Sequence, residues 1–231
     1  MAVCVIALPG QLYGVDLLWG AGAGTAGAIG VILLYASLST GAMAVAAPTS
    51  AVTGAAVPIA VGLLLGEQPS LAALIGVGCA VVAIALVSAS GGSGPVTARV
   101  LGMALGAGAL FGIFFVLLAQ THDDSGMWPL VGARTTSVLL GLFLVLGRRL
   151  PLRMPRRLLG WVLVSGVGDI GANALYLLAT REGLLSVVAP ISALYPVATV
   201  LLAFALDRER VRPVQVVGLG VAAVSLVLTA V

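Results

Sequence analysis

Charge is what this chain has least of. Asp, Glu, Lys and Arg make up 8% of its 231 residues, against roughly 25% in globular proteins. So thin a supply cannot cover a soluble surface, and 61% of the chain is hydrophobic, with a mean hydropathy of +1.20. Lysine is missing: all eleven basic residues are Arg. The net charge of +3 is spread over connecting segments and forms no patch for nucleic acid. The two cysteines, Cys4 and Cys79, sit in apolar runs whose spacing fits no metal site, redox pair or disulfide. The single histidine, His122, has no second ligand beside it, so no metal and no cofactor is expected. Walker, zinc and serine-nucleophile patterns are absent, which excludes a pump driven by an ATPase within this chain. No enzyme activity is expected. The opening MAVCVIALPG lacks a basic start, so it is not read as a secretory signal, and it is about half the ~20 residues a span needs.

Long apolar runs, by contrast, fill the chain. They lie near 16–38, 42–65, 71–89, 98–119, 127–147, 159–180, 184–206 and 213–231. The runs are continuous rather than alternating, and in lipid the backbone must be satisfied within each segment. The expected fold is an all-α integral membrane protein, a polytopic bundle of about eight full spans after an N-terminal stub, multi-pass in the plasma membrane. Gly20-xxx-Gly24 and Gly102-xxx-Gly106 predict close approach of helix backbones. Arg99, Arg148, Arg149, Arg153, Arg156, Arg157, Arg208, Arg210 and Arg212 fall on one face of such a bundle, which the positive-inside rule places in the cytoplasm, with both ends outside.

The chain also repeats itself. Gly41, Pro48, Ser50, Ala51, Glu67, Gly76 and Gly78 recur as Gly183, Pro190, Ser192, Ala193, Glu209, Gly218 and Gly220, all at an offset of 142, and Trp19 pairs with Trp161 in the same register. Internal membrane repeats are a hallmark of transporters. This divides the chain into a first repeat over 1–89, a linker over 90–97 within SASGGSGPVTAR, and a second repeat over 98–231. Met1 maps onto Phe143, so the first repeat is expected to be incomplete at its N-terminus.

Asp169 is the ionisable residue nearest the middle of a span, and an intramembrane charge is a functional-site hypothesis by default. Asp169, Asn173, Tyr176 and Thr180 share a helix face at i, i+4, i+7 and i+11, and Ser192, Tyr195 and Thr199 form a second polar stripe on the next span. The first repeat has Gly27, Val31, Leu34 and Thr53 where the second has Asp169, Asn173, Tyr176 and Tyr195. A stripe present in one half alone points to function rather than scaffold. The plainer reading is that Asp169 bonds another helix, for example through Arg134. Arg134 itself is expected to snorkel, with anion binding or a pair with Asp169 as the alternatives. Asp16, at a span edge, is expected at the interface, and Glu67 and Glu209 are assigned to helix-end contacts. Pro48 and Pro190 match in register and predict a shared helix kink; Pro58 and Pro196 lie deeper and do not match. Gly166-Val167-Gly168-Asp169 reads as the GxGD of intramembrane aspartyl proteases, but no Tyr-Asp pair precedes it and no Pro-Ala-Leu follows.

The two runs LLYASLSTGAMAVAAPTSAVTGAAVPIAVGLLLGEQPSLAALIGVGCAVV and GANALYLLATREGLLSVVAPISALYPVATVLLAFALDRERVRPVQVVGLGVAAV resemble the two EamA domains of the drug/metabolite transporter superfamily. The shared order is a Tyr-x-x-Ala/Leu run, a Gly opening the next helix, a Pro inside it, a Glu-containing turn and a Gly-x-Gly helix. The resemblance implies two inverted repeats and a cavity lined here by 16–38, 42–65, 159–180 and 184–206, and it makes Arg134, in VGARTTS, similar to an arginine of the family. It also implies a cytoplasmic C-terminus, opposite to the Arg count. The function it implies is a secondary transporter, an exporter of small metabolites or drugs working by alternating access. Candidate substrate, proton or cation groups are Asp169, Asn173, Tyr176, Ser192, Tyr195, Arg134, Ser50 and Thr53. The alternative is a non-transporting subunit, truncated or dependent on a partner. The expected partners are the lipid bilayer, a small-molecule substrate and protons, with a second copy of the chain left open.

Overall fold

The computed structural model describes residues 10–40, 43–88, 97–149, 155–194, 197 and 212–229. Among these residues every element is helical. In order they are α1 (Gly14–Leu38), α2 (Met43–Leu64), α3 (Leu71–Ser88), α4 (Ala98–Ala119), a single 3-10 turn (Asp123–Ser125), α5 (Trp128–Gly147), α6 (Arg156–Glu182), α7 (Leu185–Ser192) and α8 (Pro213–Thr229). α1, α2, α4, α5 and α6 are long and apolar enough to cross a membrane, and α3 and α8 are shorter apolar helices. The protein is an all-α polytopic membrane bundle.

Helix boundaries follow from local chemistry. Ser70 Oγ accepts the Ala73 N–H at the start of α3, and Thr97 Oγ1 accepts the Val100 N–H at the start of α4. Each hydroxyl satisfies one of the amide donors a helix leaves open at its first turn. Pro129 and Pro213 occupy first-turn positions of α5 and α8, where the missing N–H costs nothing. α2 ends at Gly66, whose φ of +87° places it in the left-handed region. Gly66 N–H donates to Leu63 O and Glu67 N–H to Gly62 O. Those are the two bonds of a Schellman stop, and they set Glu67 immediately beyond the helix. Ser192, which ends α7, is followed by Tyr195, Pro196 and 198–211; these lie outside the described residues.

The chain divides into two compact units. One comprises 1–28 with 117–182, the other 29–116 with 183–231. Each therefore draws on both sides of the linker, and α1 and α4 pass from one to the other.

In the first unit α1 and α5 meet at backbone distance. A Cβ on Gly20 would collide with the Pro129 carbonyl, and one on Gly24 with the Ala133 carbonyl. Gly132 returns the contact, lying against Leu17 O. Lipid gives helices no hydrophobic reason to associate, so close packing of small residues takes that role.

The second unit uses the same device. Ala51, Ala55, Ala80, Ala83, Ile84, Ala193, Leu194 and Ala222 form its core, bringing together α2, α3, α8 and the turn after α7. Ser225 Oγ donates to Gly76 O at 2.7 Å, a buried bond between α8 and α3. Gly108 and Gly112 of α4 lie against Ser50 and Val57 of α2. The Gly102-xxx-Gly106 expectation is corrected here: Gly102 has open space around it, and Gly106 meets only the Leu33 side chain. The same glycine-rich run carries a second pair four residues apart, Gly108 and Gly112, and that face is the one turned to α2.

Candidate functional site

Asp169 stands at the middle of the 27-residue α6, and Asn173 one turn later. Asn173 Nδ2 donates to the Asp169 carbonyl at 2.7 Å and to its Oδ1 at 3.0 Å. From α5, two turns inside that helix, Arg134 donates through a terminal guanidinium nitrogen to Asp169 Oδ2 at 2.5 Å. Both carboxylate oxygens are thus engaged. An isolated charge at this depth costs at least ~2.5 kcal/mol; a matched pair carries no net charge into the membrane.

Arg134 does not snorkel, which corrects the expectation for it. A carboxylate on the neighbouring helix at the same depth offers a counter-charge without a stretch to the surface. The pair is not sealed: the side chains of Arg134 and Asp169 are 32% and 54% exposed. An anionic group can compete for Arg134 and a cationic one for Asp169. The group that faces Asp169 is a guanidinium, which cannot share a proton as the second carboxylate of an aspartyl-protease dyad does.

The remaining candidates separate by unit. Tyr176, on α6, is buried. Thr180 bonds back to Leu177 O. In the second unit Ser50 is fully buried and donates to Ala47 O, and Ser192 donates to Val188 O, each within its own helix. Thr53 lies against Gly108. Pro58 and Pro190 are buried inside α2 and α7, and Pro48 lies within α2. Tyr195, Thr199, Pro196 and Glu209 fall outside the described residues. The structure brings Arg134, Asp169 and Asn173 together; Ser50, Thr53 and Ser192 belong to the other compact unit.

One contact was not foreseen, and a second, expected at a helix end, gains its partner. Asp16, in the first turn of α1, is fully buried in protein; His122 N–H and Nδ1 lie 3.3 and 3.0 Å from its two carboxylate oxygens. The two residues are 106 positions apart, and no spacing rule joins them. Glu67 accepts the amide hydrogens of Leu185 and Ser186, both at 2.8 Å. It caps the first turn of α7 from another segment, where a carboxylate also meets the positive end of the helix dipole. Gly62 leaves room for it, since a Cβ there would strike the Glu67 carboxylate.

With this geometry in hand, comparison with known proteins is direct. The EamA-like transporter family matches residues 98–231, more than half of the chain. The chain belongs to the EamA-like transporter family. No curated protein matches it. A solved structure titled only "Crystal structure of protein" superposes with a TM-score of 0.60 at 17% identity, covering 92% of this chain and 89% of that one. At that identity the likeness speaks for the fold alone. The EamA-like match and the apolar helices together make this a multi-pass membrane protein of a transporter family.

Proposed function

We propose that this protein is a secondary transporter of the plasma membrane that exports a small metabolite or drug by alternating access. The observation that carries the reading is the mid-span pair of Arg134 and Asp169, held by Asn173 and still half-open. A scaffold gains little by leaving a charge pair partly uncovered by protein; a binding site needs groups that a solute can reach. In this reading Asp169 and Arg134 bind charged groups of the substrate or a coupling cation or proton. Asn173 holds the carboxylate in place. Tyr176, in the same unit, orients the solute; Ser192, Tyr195, Ser50 and Thr53 are candidate polar groups of the other unit. The equal offset between the halves and the packing of α3 on α8 and α2 on α7, each the counterpart of the other in register, support an internal two-fold repeat.

Accessibility tests the alternating-access part. Asn173→Cys, with Cys4 and Cys79 replaced by Ser, is treated with a membrane-impermeant thiol reagent from each side in turn. Labelling from both sides is expected. Labelling from neither would remove the solute path from this site, and labelling from one side alone under all conditions would contradict alternating access.

A further inference from the structure

Asp16 is the one carboxylate among the described residues that is fully buried, and the mechanism above does not use it. Its partners are the backbone N–H and the ring Nδ1 of His122, a residue whose own side chain is 54% exposed. With the carboxylate ionised it only accepts, and Nδ1 then carries the hydrogen. Tyr13 stacks on the imidazole, with ring centroids 4.6 Å apart. Its hydroxyl donates to Asp124 Oδ2 at 2.8 Å, and Gln11 N–H donates to Asp124 O. Trp128 Nε1 reaches Gly10 O, and the Gly10 and Gly126 backbones touch. From the end of α6, Arg181 donates to Gly126 O at 2.6 Å and to Ser125 Oγ. The loop 120–127 is therefore tied at one end of this unit to the start of α1 and the end of α6.

We propose that Asp16 and His122 form a proton-binding latch that holds this loop against the start of α1 when His122 is protonated and loosens when it is not. Asp16 bonds the imidazole and Tyr13 stacks on it from the α1 side, Asp124 of the loop bonds Tyr13, and Arg181 of α6 lies in the field of Asp123, Asp16 and Asp124. Three carboxylates meet one guanidinium, leaving two negative charges in excess when His122 is neutral and one when it is protonated. A proton on His122 thus turns a neutral donor into a counter-charge for a carboxylate that, among the described residues, has no other partner of opposite sign bonded to it. Charge-assisted hydrogen bonds are roughly twice as strong as neutral ones, and histidine is the side chain whose charge changes between about pH 5 and 8. The half-exposed ring gives protons a route to a pair whose other member is sealed.

Amide hydrogen exchange over 120–127, on the full chain in lipid nanodiscs and corrected for intrinsic rates, tests this. Protection is expected to fall on the order of fivefold from pH 5.5 to pH 8. His122→Gln keeps a hydrogen-bonding side chain without the charge, and its protection is expected to be equal at the two values. Asp16→Asn is expected to abolish the response as well, but it alters a sealed site, so the exposed His122 position carries the test. Wild-type protection that does not change with pH would overturn the proposal. So would a pH response of undiminished size in His122→Gln.

Discussion

Arg134 and Asp169 each bring into the membrane a charge that their own helices cannot satisfy, and each is satisfied by the other. Because the protein leaves both side chains partly uncovered, the pair lies short of a fully sealed one in energy. A double-mutant cycle with Arg134→Gln and Asp169→Asn is expected to give a coupling of about 1 kcal/mol. A coupling near zero would mean the two groups do not meet. Tyr13 gives a second test at this scale. Its hydroxyl is held protonated chiefly by the bond to Asp124, which pushes the phenol above its usual value near 10. A raised value means that the bond is present throughout neutral pH and is lost only as pH climbs through the displaced value. In an ultraviolet titration Asp124→Asn should bring one of the four tyrosines back toward the ordinary value. Asp169 and Asn173 were legible in the sequence, because one helical turn separates them and the surroundings are apolar. The partner of Asp16 was not: it is a histidine 106 residues away, and no spacing rule joins the two.

Among the helices, glycine marks where backbones touch, but a glycine pattern does not say which face is used. Gly24 packs on the Ala133 carbonyl while Gly102 faces open space. Gly24→Val should therefore cost about 1–3 kcal/mol by forcing α1 from α5, whereas Gly102→Ala should be neutral or slightly stabilising. Thermal unfolding in one detergent compares the two, and equal losses would refute the assigned face. The sequence carried both Gly102/Gly106 and Gly108/Gly112 at equal spacing, and only the packing of α4 on α2 chooses between them. Glu67 belongs to this scale as well. Its carboxylate caps α7, so Glu67→Ala should destabilise that helix by about 0.5–2 kcal/mol, seen as faster amide exchange at Leu185 and Ser186. Unchanged exchange there would mean the cap is not formed. The turn composition LLLGEQPS pointed to a helix end, but not to which helix the glutamate serves.

At the scale of the molecule, composition alone was enough for the membrane bundle. Eight apolar runs correspond to α1 to α8, with the sixth extended and the seventh helical as far as Ser192 within its described residues. Apolar runs are read reliably because lipid forces each to satisfy its own backbone. The grouping into compact units was not legible, since it depends on which helices touch and not on where the linker falls. A transporter of this family with the Arg134–Asp169 pair at mid-span should move a solute whose passage depends on that pair. The measurement that tests this most directly is small-molecule profiling of spent medium from cells making the wild-type chain, the Asp169→Asn variant, or neither. The account predicts at least one solute that accumulates outside with the wild type and not with the variant. Identical profiles from all three, with both proteins found in the membrane, would contradict it.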